Sequence, residues 1–233
     1  TVRDAGDGGV RARDLRVSLS APRGASEAAA TGLRAGSPHR LFASGEVQAW
    51  RGDDVLTSDS LEALLGEGPD GAARVVSAFA YGDASFVGEA GETAAGEQIE
   101  IDVGAQIVHI RGGSAPASVA REGAAVDAPL IVLDGDDRTL RAFGPGEFFS
   151  RRPVAEGAVD ATVRASWTES LAFDDAAGTL VLEGDVQGEH RPEPNTVETF
   201  RGDYAEALLA AAATEEPGPG APSPGEPGTE SAP

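Results

Sequence analysis

The three histidines are the residues with the greatest potential for metal chemistry in this chain. His39, His109 and His190 lie on different repeats, and the spacing between them is not typical of a metal site. We therefore predict no metal ligands among them. His109 lies between apolar residues, which favours an ordinary position on a strand.

Clustered carboxylates are the second candidate for chemistry. Asp134, Asp136 and Asp137 surround Gly135, and their oxygens could hold Ca²⁺, although the remaining ligands of a recognisable calcium loop are missing. Paired turn carboxylates could also serve as the acid and nucleophile of a glycosidase, but nothing in the sequence brings two of them into an apolar cleft. A solvated hairpin turn is the expectation for residues 134–137.

The usual signatures of nucleophilic catalysis are missing from the sequence. Cysteine is absent, which excludes thiol catalysis, thiolate metal sites and disulfides. No G-x-S-x-G elbow, H-E-x-x-H helix or phosphate-cradling glycine loop occurs. Arg-Gly-Asp occurs at 51–53 and 201–203, in turn or strand-start contexts that already favour Gly and Asp, so we do not expect adhesion. We predict a protein that is not an enzyme, with no catalytic residues, metal or cofactor.

The charge balance restricts the possible partners. Asp and Glu number 39 against 18 basic residues, giving a net charge of -21, and every basic residue is arginine. Nucleic acid is excluded as an expected partner, because its phosphates require a basic surface. Any anionic ligand would need a local arginine site or bridging divalent cations.

A repeat runs through the middle of the chain. The segment LFASGEVQ beginning at Leu41 matches LVLEGDVQ beginning at Leu180 at the leucine, glycine, valine and glutamine. Weaker copies place two apolar residues four and two positions before a glycine. The glycines recur at intervals of about 30 to 40 residues, typical of repeat architectures, and they are Gly45, Gly82, Gly112, Gly144 and Gly184.

Each glycine motif is followed by a polar turn and a second apolar motif, so the unit is strand, turn, strand. Leu41, Ala43 and Val47 alternate with polar residues, which indicates strands with one dry face. Turns are expected at 51–54, 134–137 and 174–178. About ten short strands would bury their dry faces as a sandwich, a jelly roll or an open V-shaped stack.

The sequence also predicts the domain organisation. Residues 1–14 are expected to be flexible, residues 15–213 to form the repeat-built β domain, and residues 214–233 to be a disordered Pro/Gly-rich tail. The stretch 204–213 could be a closing strand or a short helix. No apolar run approaches the roughly 18 residues of a membrane span, and no basic-plus-apolar leader follows Thr1.

At these repeats the sequence resembles the OstA/LptA family of lipopolysaccharide-transport proteins. Residues 41–65 carry the resemblance best, residues 180–209 second best, and the whole likeness covers about 33–209. It implies an all-β, V-shaped jelly roll of repeated antiparallel hairpins in the periplasm or cell envelope. The resemblance also implies partners, namely lipopolysaccharide or another acylated lipid, and other envelope transport jelly-roll proteins or further copies joined through edge strands.

The resemblance implies a slot whose apolar interior receives acyl chains. The residues expected to line it are Leu41, Ala43, Val47, Leu61, Ile99, Ile101, Leu130, Val132, Leu140, Leu171, Leu180, Leu182 and Val186. Two functions remain open at this point. One is a module that binds or conveys lipid, and the other is a structural module with a fully packed interior that joins copies or envelope partners through its edges.

Overall fold

The computed structural model describes residues 2–3, 8–19, 38–67, 73–152, 161–193 and 196–208. Within these ranges the regular elements are all β-strands, and every pairing between them is antiparallel. None of the described segments forms a helix long and apolar enough to cross a membrane.

The described residues form 17 strands. They are β1 (Val2–Arg3), β2 (Gly8–Arg11), β3 (Asp14–Leu19), β4 (Pro38–Arg51), β5 (Asp54–Glu67), β6 (Ala73–Val87), β7 (Thr93–Asp102), β8 (Ile107–Arg111), β9 (Ala117–Arg121), β10 (Ala124–Ala128), β11 (Leu130–Asp134), β12 (Thr139–Phe143), β13 (Gly146–Arg152), β14 (Ala161–Trp167), β15 (Ser170–Asp174), β16 (Thr179–Glu193) and β17 (Thr196–Leu208).

The strands form two layers that share their longest members. The first layer runs β3-β4-β5-β6-β7-β8-β11-β12-β15-β16-β17. The second runs β1-β2-β4-β5-β6-β7-β9-β10-β13-β14-β16-β17. Each long strand belongs to both layers and passes from one to the other at a bend. In the middle of the chain, two short strands separated by a short break take the place of one long strand.

The bends are β-bulges built on the repeat glycines. Gly45, Gly82 and Gly184 have φ values of 78°, 75° and 79°, and each is followed by an acidic residue that also has positive φ. The cross-strand register shifts at each of these pairs. Glycine favours this left-handed backbone because it has no Cβ, and a bulge bends its strand.

The other two repeat glycines occupy equivalent places. Gly112 lies between β8 and β9, and Gly144 (φ 82°) lies between β12 and β13. The sequence predicts about ten short strands, whereas the described residues form 17, because the hairpin arms in the middle of the chain are each divided into two short strands where they change layer. Each glycine marks the point where an arm of a hairpin leaves one layer for the other.

The core follows ladders of cross-strand neighbours, one residue per arm. Small and large side chains mix along each ladder, so the two layers can approach closely near the bends. In the first layer the ladder is Leu15, Ala43, Leu61, Ala80, Ile99, Ile110, Ile131, Ala142, Leu171, Leu182 and Ala205. In the second layer it is Val10, Ala49, Leu56, Phe86, Ala94, Val119, Val126, Phe148, Ala165 and Gly188, and the next partner along this ladder, Phe200, is exposed.

The expected fold class, an all-β jelly roll of repeated antiparallel hairpins, is confirmed. Of the two possibilities for the stretch beginning at Tyr204, the structure shows a strand, β17, as far as Leu208. The sequence predicts flexibility for the segment 1–14, but part of this segment forms the strand β2. Its backbone pairs with β4 from Gly8↔Arg51 to Arg11↔Gln48. The tail predicted for 214–233 lies outside the described residues.

Candidate functional site: an apolar groove between the layers

A groove of about 720 Å³ lies between the two layers in the central part of the stack. Side chains from both layers line it, so the layers face each other across it. The first layer contributes apolar side chains of β11, β12, β15 and β16, and the second those of β6, β7, β9, β10 and β13. The apolar lining includes Leu133, Leu140, Leu171, Phe173 and Leu180 on one side, and Phe86, Ala94, Val119, Ala124, Val126 and Phe148 on the other.

Strand register positions these side chains. Leu133, Leu140, Phe173 and Leu180 are consecutive cross-strand partners in the first layer. Because alternate residues of a strand face the same side, these four form a row parallel to the core ladder and one step farther from the bends. On the other side of the groove, Val119, Val126 and Phe148 are consecutive cross-strand partners on the second-layer core ladder itself.

Part of the groove lining belongs to the buried core, and part is accessible to solvent. Ile131 and Leu171, on the core ladder, are 0% and 1% exposed. Leu133, Leu140 and Phe173, one step toward the mouth, are only partly buried although they pack against the core. The groove therefore offers accessible apolar surface above a closed floor.

Charged residues flank the mouth on both sides. On the second-layer rim Arg121 lies 3.7 Å from Glu92 and 3.9 Å from Glu122, measured from the arginine Nε to a carboxylate oxygen. On the first-layer rim Arg138 is paired with Asp175. All five residues line the groove. The site thus combines an apolar interior with one arginine on each rim.

The predicted lining residues divide into three groups. Leu140, Leu171 and Leu180 line the groove. Others lie in the closed core or pack against it, and these are Leu41, Ala43, Val47, Leu61, Ile99, Ile101, Leu182 and Val186. Leu130 and Val132 neither line the groove nor pack in the core. The structure therefore brings together in the groove only the part of the predicted set that lies in the later hairpins.

The prediction for Leu130 and Val132 is wrong by one residue in register. Ile131 pairs with Ile110 and Ala142, which are both fully buried, and it is the inward residue of β11. Its neighbours point to the opposite face, where Leu130 is paired with the exposed Phe143. Four consecutive apolar residues, 130–133, leave no alternation from which the inward phase could be deduced.

Several groove residues escaped the sequence analysis. Val119 and Phe148 lie outside the glycine-centred motifs, in short strands that pair with β10 from either side. Phe148 and Phe149 are adjacent, so the sequence does not show which ring points inward. Arg121 ends β9 just before a turn, Arg138 lies in the turn between β11 and β12, and neither belongs to a sequence motif. These residues could be predicted only if the pairing of the hairpins that carry them were known.

Two of the histidines and a turn carboxylate have ordinary partners. His109 Nδ1 lies 3.8 Å from Glu100, and His190 Nδ1 lies 3.1 Å from Glu198. No cluster of three or more potential metal ligands occurs in the part of the chain that the structure describes. Asp134 lies at the start of a turn and its Oδ1 accepts a hydrogen bond of 3.0 Å from the Asp137 backbone N–H.

Comparison with known proteins gives a likeness to solved structures. No family model and no curated protein matches the chain. Among solved structures the chain is similar to LptH of Pseudomonas aeruginosa, described as the LptA-homologous periplasmic component of the lipopolysaccharide transport device. The identity is 17%, the TM-score is 0.43, and the match covers 59% of this chain and 82% of that one. The likeness concerns structure alone.

Proposed function

We propose that this chain is a non-enzymatic envelope protein that binds or conveys lipopolysaccharide or a related acylated lipid in the groove between its layers. The observation that carries the proposal is the row of accessible apolar side chains, Leu133, Leu140 and Phe173, facing Val119 and Phe148 across the groove. The location in the periplasm and the association with other transport jelly rolls are parts of the same proposal.

The groove supports binding without chemistry. An acyl chain placed in it would gain about 25 cal/mol for each Å² of apolar surface removed from water, with no reacting group required. Its volume of about 720 Å³ falls within the roughly 300–1,000 Å³ typical of small-ligand sites. The polar rims would keep a head group in solvent while the chain is covered.

The proposal is tested by filling the groove. Ala124 lines it from the second layer, and Ala172 lies exposed on the outer face of β15, opposite Arg141. We expect Ala124→Trp to abolish binding of a fluorescent hexadecanoyl probe and Ala172→Trp to leave it unchanged. Wild-type protein should also melt at a higher temperature with the probe, because a ligand that binds only the folded state stabilises it.

Two outcomes would refute lipid binding. One is a wild-type protein whose melting temperature and probe fluorescence do not respond to the probe. The other is equal probe binding by wild type and Ala124→Trp, provided that circular dichroism shows both variants to be folded. Equal loss in both tryptophan variants would point to a general effect of the substitution and would also contradict the proposal.

A second candidate function is a structural module that joins copies end to end. It is favoured by β17, whose outer edge pairs with no other described strand and whose Val197, Tyr204 and Leu208 are 51%, 55% and 80% exposed. Unpaired strand edges add strands from a partner. Light scattering over a range of concentrations should then show association, and Val197→Lys with Leu208→Lys should reduce it. A monomer at all concentrations would contradict this candidate.

A further inference from the structure

The mouth of the groove carries arginine side chains, although the protein has a large excess of acidic residues. The net charge is -21, so an anion approaching most of the surface meets repulsion. At the groove, however, Arg121 stands on one rim and Arg138 on the other. The carboxylates that line the mouth with them, Glu92, Glu122 and Asp175, are the arginines' own ion-pair partners.

The ion pairs of Arg121 are loose. Its Nε lies 3.7 Å from Glu92 and 3.9 Å from Glu122, whereas N–H···O hydrogen bonds measure about 2.7–3.2 Å. The side chain is 59% exposed, so water screens both pairs and neither holds the guanidinium strongly. A ligand oxygen at hydrogen-bond distance would replace these contacts with closer ones.

Arg138 is held more firmly, but some of its N–H donors remain available to a second acceptor. Its Nε and Nη2 both donate to Oδ2 of Asp175. A guanidinium has five N–H groups in a rigid fork, so this carboxylate leaves other N–H groups of Arg138 for a second acceptor. The pair with Asp175 also fixes the orientation of the fork at the rim, which lowers the entropy lost when a ligand is bound.

We propose that Arg121 and Arg138 bind a phosphate head group of an acylated lipid whose chain lies in the groove. The inference rests on the proposed function and adds the chemistry of the head group to it. Guanidinium groups suit phosphate because they donate in parallel to two of its oxygens. With the chain buried against Leu140 and Phe148, the head group emerges at the mouth, where the two rims carry these arginines.

The test compares two lipids that differ only in the phosphate, namely hexadecanoyl-glycerol-phosphate and hexadecanoyl-glycerol. We expect wild-type protein to bind the phosphorylated lipid more tightly in low salt, and the preference to shrink as salt screens the charges. Arg121→Gln and Arg138→Gln should each weaken binding of the phosphorylated lipid by about fivefold and leave the neutral lipid unchanged. Arg141→Gln is the matched control, because Arg141 lies on the outward face of β12, where it pairs with Val132.

The outcomes separate the head-group inference from the proposed function. Equal affinity of wild type for the two lipids, or loss of phosphate preference in Arg141→Gln as well, would overturn the inference while leaving lipid binding intact. Failure to bind either lipid would overturn the proposed function itself. Inorganic phosphate is the third probe, and binding of the free ion as tight as that of the phosphorylated lipid would show a phosphate site that does not depend on an acyl chain and would overturn the inference.

Discussion

Ile110 and Ile131 face each other across the β8–β11 pair, and both side chains are completely buried. They belong to the same ladder, and each also contacts a neighbouring arm through Ile99 or Ala142. The side chain of Val132, one residue farther along, points away from this ladder. The stacking of the hairpins therefore depends on the register of β11.

The register of β11 can be tested with adjacent substitutions. Ile131→Ala should lower the free energy of unfolding by about 2–5 kcal/mol, because it removes buried methyl groups and leaves a cavity. Val132→Ala, in the same strand but on the outer face, should cost less than about 1 kcal/mol. Urea unfolding midpoints for the two variants check the prediction, and a larger loss for Val132→Ala would contradict the register.

The repeat could be predicted from the sequence because glycine has a specific backbone role at the bends. Gly45, Gly82 and Gly184 adopt positive φ, and alternation on either side of a glycine gives the inward face wherever apolar and polar residues truly alternate. Alternation failed at 130–133, where all four residues are apolar. The groove could not be predicted, since it depends on which hairpins face each other across the layers and how far apart they lie.

The bends can be tested by comparing two glycines that both have positive φ. At Gly82 (φ 75°) an added Cβ would lie 2.8 Å from Cβ of Asp59 and 2.9 Å from its Cγ, while at Gly52 (φ 59°) it would meet nothing within 4 Å. Gly52→Ala should cost about 1–2 kcal/mol from the left-handed backbone alone. Gly82→Ala should cost about 2–5 kcal/mol, because overpacking adds to the same backbone term.

Chemical denaturation of the two alanine variants measures this difference directly. Both substitutions add one methyl group at a left-handed position, so each serves as the control for the other. Equal destabilisation would show that the contact with Asp59 has no influence, and the bend would then depend on backbone conformation alone.

Tyr204 on β17 gives a prediction about pH. Its hydroxyl donates a hydrogen bond of 2.8 Å to Oε2 of Glu206, and this bond, with smaller contributions from desolvation and the charges of Glu206 and Glu183, raises the pKa of Tyr204 above its usual value of 10.0. Because the folded-state pKa is raised, any contribution to stability is present below about pH 10 and is lost as the pH rises through the folded pKa. Glu206→Gln should lower the pKa of Tyr204.

Phenolate absorbance measures this change. Tyr81→Phe should be made in both proteins first, because it leaves Tyr204 as the one tyrosine of the chain. A titration curve that does not move on Glu206→Gln would show that the hydrogen bond is absent in solution.

Substitution of two leucines on neighbouring ladders should have different effects on stability and on probe binding. Leu182 is 3% exposed in the closed core, whereas Leu140 is partly buried and lines the groove. Leu182→Ala should cost about 2–5 kcal/mol of stability and leave the affinity of the remaining folded protein for a hexadecanoyl probe unchanged. Leu140→Ala should cost less stability, because water already reaches part of the side chain, and should weaken probe binding by about fivefold through lost apolar contact.

The two measurements must be made on the same preparations, with unfolding followed by urea and affinity by probe fluorescence under native conditions. Unchanged affinity in Leu140→Ala would mean that the acyl chain does not contact β12. Weaker affinity in a folded Leu182→Ala protein would mean either that the probe reaches below the half-buried row to the core ladder or that the layers shift. A residue of the closed core can influence the probe only in these two ways.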